Sequence, residues 1–162
     1  MKKVDYEYIR HGTKNIFLSV EPLAGKRKVK VTKTRKKSDF AHYIKDLVDK
    51  DYAEADRIHI VLDNLNTHFA KSLYETFDTK EAERILSKIQ FHYTPKHASW
   101  LNMAEIEIGI MDRQCLKRRI PSEKLLKSEI LAWQNNRNLA EAKIVWKFSR
   151  QAADDKLSRH YT

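Results

Sequence analysis

The stretch RIHIVLD, residues 57–63, is a short apolar run that ends in an aspartate. Its length and its β-branched residues predict a strand that is buried on both faces of a sheet. Asp63 would then lie at the carboxyl end of that sheet, where open α/β sheets bind their ligands. An aspartate followed by Asn64 is equally typical of a turn, so position alone leaves both interpretations open.

Regular elements are predicted along the rest of the chain, which has only three glycines and three prolines. Strands are predicted over 15–22, 28–34 and 89–93, and the first two form a hairpin. A helix is predicted over 39–50, with Ser38-Asp39 as its N-cap. The other predicted helices run from 66 to about 77, over 79–87, from 102 to about 118, from 122 to about 133 and over 149–157, while 140–146 is ambiguous. This order predicts an α/β domain in which helices cover a mixed sheet.

A second carboxylate, Glu105, follows the last predicted strand and lies three residues after Asn102. That spacing is typical of a capping box, in which Glu105 only satisfies a backbone N–H. It also puts a carboxylate on the first turn of a helix packed beside the sheet, where it can meet Asp63. Converging carboxylates suit Mg²⁺ or Mn²⁺, and two such ions about 3.5–4 Å apart can activate water at a phosphodiester.

Three stretches carry a family resemblance: EYIRHGTKNIF at 7–17, VLDNLNTH at 61–68 and YTPKHASWLNMAE at 93–105. In content and order they resemble the DDE transposases of bacterial insertion sequences related to the mariner superfamily. The resemblance implies an RNase H-like fold, with Asp63 and Glu105 as the second and third catalytic acids and as ligands of two Mg²⁺ or Mn²⁺ ions. It also implies cleavage and strand transfer of double-stranded DNA at transposon ends.

The first acid that this resemblance implies has no counterpart in the sequence. The family carries it in an Asp-Glu pair upstream of an Arg-x-Gly-Thr region, and no Asp-Glu dipeptide occurs here. Asp5 precedes Tyr6 instead of ending an apolar strand. We therefore expect residues 1–162 to be a single domain truncated at its N-terminus, without its first strand, its helix-turn-helix region or activity of its own. The exposed sheet edge predicts a homodimer or a complementing upstream fragment.

Polar residues near the two acids have both functional and structural interpretations. Asn64 and Asn66 either support a metal site through hydrogen bonds or shape the turn. In the functional interpretation, His68 and His97 contact phosphate or orient an acid. In the structural one, each is a helix-start or loop histidine that hydrogen-bonds the backbone. Asn102 either supports the site or caps the helix that follows it.

The net charge of +10 is concentrated in residues 1–37, which hold 12 Lys/Arg against 3 acids. Concentrated positive charge is typical of proteins that bind polyanions, although a solvated lysine-rich surface gives the same count. Alternation over 28–34 predicts a strand with one basic face. The predicted phosphate contacts, which would position DNA without reading its sequence, are Lys28, Lys30, Lys33, Arg35, Lys36 and Lys37.

The composition excludes several classes of protein. A single cysteine excludes an internal disulfide and a Cys-based zinc site. No apolar run approaches the roughly 20 residues of a membrane span, and no apolar leader follows Met1, so the cytoplasm is the expected compartment. Two other functions stay open: a non-catalytic DNA-binding module that regulates a transposase, and a stand-alone nuclease with a third acid, such as Asp5 or Asp39, beside Asp63.

Overall fold

A computed structural model of the chain describes residues 12–63, 69–94 and 102–145, together with Ser149, Gln151 and Asp154. These residues form four strands: β1 (Asn15–Glu21), β2 (Lys26–Thr32), β3 (Ile58–Leu62) and β4 (Ile89–Tyr93). β1 and β2 form an antiparallel hairpin, and β3 and β4 pair in parallel. The predicted α/β class and the four strands are confirmed. The predicted single mixed sheet is wrong for the described residues, because their strands form two separate two-stranded sheets.

Five α-helices have both bounds within the described residues: α1 (Lys37–Asp46), α2 (Lys71–Tyr74), α3 (Thr79–Ser87), α4 (Ala104–Met111) and α5 (Glu123–Leu139). α1 and α4 each continue into one π-helical turn, over Leu47–Asp51 and Asp112–Leu116. α3 has the predicted bounds, since the Asp78 carboxylate caps it by accepting a bond from the Glu81 N–H at 2.9 Å. α5 runs six residues past the predicted end at Trp133.

The start of α1 differs from the prediction. Lys36, not Ser38 or Asp39, is the N-cap residue, and Asp39 lies three positions into the helix. The Asp39 carboxylate accepts the Lys36 N–H at 2.9 Å and the Thr34 hydroxyl at 2.5 Å, so it satisfies the helix start from inside. Hydrogen bonding from Thr34 lowers the pKa of Asp39. This aspartate caps α1.

Two predicted helices lie partly outside the described residues. Of the helix predicted from 66, the described part contains only α2. Most of 149–157 also lies outside the described residues. The ambiguous segment is described as far as Val145, and it contains a turn but no helix or strand.

The β1–β2 hairpin is a layer with a core on each face. On one face Phe17 stacks on Tyr43 of α1, with ring centroids 5.4 Å apart, and joins a core built from α1, α2, α3 and the inner face of β3 and β4. The Tyr43 hydroxyl donates to Ser19 Oγ at 2.8 Å on the same face. The opposite face carries Ile16 and Leu18, which alternate with Phe17 as a strand requires.

The second core lies between the hairpin and the C-terminal helices. α4 packs on β1 and α5 packs on β2. Met111, Cys115, Ile130 and Trp133 form its buried centre. Burial raises the pKa of the Cys115 thiol, as expected of a cysteine packed in a core. No helix in the described part of the chain is both long enough and apolar enough to cross a membrane.

β3 is buried on one face only. Ile58 and Ile60 contact the core under α1, whereas His59 is exposed and Val61 keeps 57% of its surface exposed. The prediction that both faces are buried is therefore wrong. The physical reason is that α4 and α5 cover the hairpin and leave the outer face of β3 and β4 open.

The hairpin turn at residues 22–25 meets the segment after α5. The Ile144 N–H donates to the Pro22 carbonyl at 3.0 Å. Gly25 has φ +67°, in the left-handed region that favours glycine. A β-carbon there would overlap the carbonyl group of Glu141 and lie 2.9 Å from the Ala142 nitrogen. The turn and this segment can approach so closely only because residue 25 has no side chain.

Candidate metal and nucleic-acid site

Asp63 lies at the carboxyl end of the parallel β3–β4 pair, in the position predicted from the sequence. It follows Leu62, the last residue of β3, and its side chain is half-buried. The neighbouring strand ends beside it, since the N–H of the buried Thr94 donates to the Leu62 carbonyl at 3.0 Å. Regular hydrogen bonding therefore fixes the backbone on which the Asp63 carboxylate is carried.

Glu105 lies on the first turn of α4, and its side chain is exposed. The side chain of Asn102 accepts the Ala104 N–H at 3.1 Å, one residue earlier than a capping box requires. The helix was predicted to pack beside the sheet that carries Asp63. It packs on β1 instead. Asp63 therefore follows a strand of one sheet, whereas Glu105 lies on a helix that packs against the other sheet.

Glu107, two residues after Glu105, is completely buried. Its Oε1 accepts a hydrogen bond from Arg137 Nε at 2.6 Å, and its Oε2 accepts one from Arg137 Nη2 at 3.1 Å. Arg27 Nε lies 2.9 Å from the same Oε1, but its N–H is not aimed at that oxygen, so the contact is an ion pair without a hydrogen bond. We call Arg27, Glu107 and Arg137 the buried trio.

The Arg27 guanidinium is held by backbone as well as by charge. It donates to the Gly25 carbonyl at 2.8 Å and to the Ala142 carbonyl at 2.5 Å. Asn138 bonds both the N–H and the carbonyl of Arg27, at 2.8 and 2.9 Å. Burial lowers the pKa of Arg27, and Glu107 opposes that shift, so the guanidinium stays charged. The buried trio thus links β2, α4, α5 and the segment after α5.

The predicted basic face of β2 is present, and it lies against acids of α1 and its π turn. Lys28 pairs with Asp51, and Lys30 Nζ lies 2.7 Å from Asp46 Oδ2. Burial acts to raise the pKa of Asp46, but hydrogen bonds from Lys30 and Lys50 outweigh it and bring the pKa to about 2. The positive charge of this face is therefore largely neutralised within the protein.

The other predicted phosphate contacts divide in the same way. Lys37 Nζ lies 2.8 Å from Glu75 Oε2, and its hydrogen bond lowers the pKa of Glu75. Lys33, Arg35 and Lys36 occupy the exposed connection between β2 and α1 and make no ion pair with the described residues. Of the six predicted phosphate contacts, the three in this connection are therefore the ones whose positive charge is not balanced by an acid of the described residues.

Four predicted supporting residues lie outside the described residues: Asn64, Asn66, His68 and His97. Their roles stay predictions. A different pair of histidines is described on the outer face of β3 and β4, where His59 Nδ1 lies 2.9 Å from His92 Nε2. The two exposed rings are nearly parallel, with centroids 5.2 Å apart. These two histidines were not predicted as site residues, although each occupies an outward-facing position in the alternation of its strand.

The donor chemistry at Asp63 and Glu105 fits a hard divalent cation. Both are carboxylates, which supply the oxygen ligands that Mg²⁺ and Mn²⁺ prefer. Within residues 12–63, 69–94 and 102–145 no three His, Cys, Asp or Glu side chains come together as a metal cluster. The two acids are therefore the type of ligand that the ion prefers, but the described residues do not bring together three such ligands.

The buried trio was not predicted from the sequence, although two signals in the sequence mark it. Extending the alternation of Val31 and Val29 backwards by two residues places Arg27 on the apolar face of β2. Glu107 interrupts an otherwise apolar run from Ile106 to Met111. A lone charge of each sign on buried faces indicates a pair, because an unpaired buried charge is costly.

A family model described as DDE superfamily endonuclease matches residues 1–127. The match covers 127 of the 162 residues, from before the hairpin to the first part of α5. It contains both predicted acids and all six predicted phosphate contacts. Neither a curated protein nor a solved structure matches the chain.

Proposed function

This chain belongs to the DDE superfamily endonuclease family, and we propose that it contributes Asp63 and Glu105 to a divalent-metal site that cleaves and transfers DNA strands, as a transposase does. The observation that carries the proposal is the position of Asp63 at the carboxyl end of a parallel strand pair. Ligand sites of α/β sheets lie there. The resemblance to mariner-like transposases of insertion sequences, and the RNase H-like fold it implies, belong to the same proposal.

The chain's own residues would hold and orient the reacting groups. Asp63 and Glu105 would supply the oxygen ligands for Mg²⁺ or Mn²⁺, and a bound ion would supply Lewis acidity and a more acidic water. β3 holds the Asp63 backbone rigidly, and the half-buried position of its carboxylate limits competing water. Glu105 lies on the first turn of α4 and is exposed, so its carboxylate is accessible to an ion.

We propose further that these 162 residues do not cleave DNA by themselves, because they provide two of the three acids that the resemblance assigns. Incubation with supercoiled plasmid and Mn²⁺ should leave the plasmid intact. Mn²⁺ binding, followed by electron paramagnetic resonance, should weaken at least about tenfold in Asp63→Asn and in Glu105→Gln. Glu83→Gln, a change at an exposed glutamate of α3, is the matched control.

Two results would count against this proposal. Plasmid nicking that disappears in Asp63→Asn would make the chain a nuclease in its own right. Equal Mn²⁺ affinity in Asp63→Asn and Glu83→Gln would remove Asp63 as a ligand. DNA binding without either metal effect would favour a non-catalytic, regulatory role.

For DNA contact we propose the connection between β2 and α1. Replacing Lys33, Arg35 and Lys36 together by alanine should lower duplex affinity and reduce the slope of log K against log salt by about 2–3. Replacing Lys28 and Lys30, which are paired with acids, should change that slope by less than about 1. A salt titration of fluorescence anisotropy measures both, and a larger effect from Lys28 and Lys30 would refute the assignment.

We also propose that a strand of a second chain adds to an open sheet edge. In the described residues β1 pairs only with β2, and β3 only with β4. Side chains of Gln134 and Asn138 bond the outer edge of β2, so the open edge of the hairpin among the described residues is that of β1. Light scattering should therefore report a mass above the 19.2 kDa of one chain. A monomer at every concentration up to the solubility limit would contradict this expectation.

A further inference from the structure

α4 has an unusual distribution of side chains. Its one fully buried side chain from the first turn is charged Glu107, while Ile106 and Ile108 keep 40% and 47% of their surface exposed. Ile110 and Met111, three and four residues after Glu107, lie on the same face of α4 and pack in the second core. The contacts of Glu107 therefore act together with this apolar packing in setting the rotation of α4 about its axis.

The rotation that buries Glu107 also determines where Glu105 points. Successive helical residues are about 100° apart, so two residues are separated by about 200°. With Glu107 turned into the protein, Glu105 is directed away from the hairpin on nearly the opposite side of α4. A slip of one residue would bring Ile106 or Ile108 to the two arginines and would move Glu105 by about 100°.

The partners of Glu107 hold it from two directions. Arg27 reaches it from β2 and Arg137 from α5, with Arg137 also 5.6 Å from the ring of Trp133. Arg27 is itself fixed by two backbone carbonyls and by Asn138. A buried ion pair adds little stability over apolar residues of similar size, and in some proteins its role is to select one register of the packed elements.

We propose that the buried trio is a positioning device for Glu105: Arg27 and Arg137 hold Glu107 and thereby fix the direction in which α4 presents the Glu105 carboxylate. This inference rests on the proposed function, because the direction of the Glu105 carboxylate matters if that carboxylate is a metal ligand. Glu107 is a positioning residue in this scheme, since it has no access to DNA or metal.

The test measures the direction of residue 105 without using metal. Nitroxide labels are attached to Val61→Cys and Glu105→Cys in a Cys115→Ala chain, and the label distance is measured by double electron–electron resonance. The comparison variant carries the apolar trio Arg27→Met, Glu107→Leu and Arg137→Met. We expect a narrow distribution in the parent. In the apolar trio we expect one that broadens or shifts by more than the about 1.5 Å rise of one helical residue.

A second variant serves if the apolar trio does not fold cooperatively. Arg137→Met removes one of the two arginines that hold Glu107. It leaves Arg27 and Glu107 as an ion pair with no net charge, so this variant should fold and still broaden the distribution of label distances. Arg118→Met is its matched control. Arg118 forms a salt bridge at 2.6 Å with Glu129, which lies on α5 as Arg137 does, but the Arg118 side chain is mostly exposed. An unchanged distribution in a folded apolar trio, or in Arg137→Met, would overturn the proposal.

A separate measurement isolates the proposed function. Mn²⁺ affinity is compared between the unlabelled chain and Glu105→Gln. Equal affinities would remove Glu105 as a ligand while leaving the distance result intact. A changed affinity together with an unchanged distance distribution would instead sink the positioning role alone.

Discussion

Glu107→Ala is expected to lower the free energy of unfolding by about 3–5 kcal/mol. The substitution leaves the Arg27 guanidinium, whose side chain is 0% exposed, without its counter-charge. It also removes both acceptors of Arg137. Domains of this kind have about 5–15 kcal/mol of stability in total, so the loss would be a large part of it. Urea unfolding followed by circular dichroism measures the change.

Glu129→Ala provides the matched comparison for this prediction. Glu129 also pairs with an arginine, Arg118, but at the surface, where such pairs contribute about 0–1 kcal/mol. Its replacement should therefore shift the urea midpoint only slightly. Equal losses of unfolding free energy in Glu107→Ala and Glu129→Ala would show that Glu107 does not stabilise the protein as the counter-charge of Arg27.

Gly25→Ala is expected to destabilise the protein by about 2–5 kcal/mol. The left-handed φ of +67° accounts for about 1–2 kcal/mol of this loss. The rest comes from the new β-carbon, which overlaps the carbonyl of Glu141 and forces the segment after α5 away from the turn. That movement would also pull the Ala142 carbonyl away from Arg27. Thermal and urea unfolding both report the effect.

Gly12→Ala separates the two causes. Gly12 has φ +97°, yet no atom lies within 4 Å of the β-carbon that alanine would add. Only the backbone strain applies there, so its loss should not exceed about 1–2 kcal/mol. If Gly25→Ala costs no more than Gly12→Ala, the close approach of turn and segment does not contribute to stability.

Local sequence patterns were sufficient for the elements themselves. α3 and β4 have the predicted bounds because capping by Asp78 and the β-branched and aromatic run at 89–93 act over a few residues. The position of Asp63 followed from the same local information. The class of the fold could thus be read from short windows of sequence.

The arrangement of these elements could not be read in the same way. Which face of β3 is covered depends on α4 and α5, which lie more than forty residues later and pack on the hairpin. The acids that pair with Lys28 and Lys30 belong to α1 and its π turn, and their positions depend on how α1 packs. Charge alternation therefore identified a basic face correctly but could not tell that acids within the chain neutralise much of it.

The two-faced hairpin has a consequence during synthesis of the chain. Its first face can be covered as soon as α1 is made, but its second face waits for α4 and α5, about 100 residues later. At ribosomal rates the wait is roughly 5–20 s, with Val29 and Val31 uncovered in the nascent chain. Lys28 and Lys30 flank these valines, and interleaved lysines discourage edge-to-edge aggregation of a strand. The charges that pair with α1 in the finished fold would first protect the unfinished one.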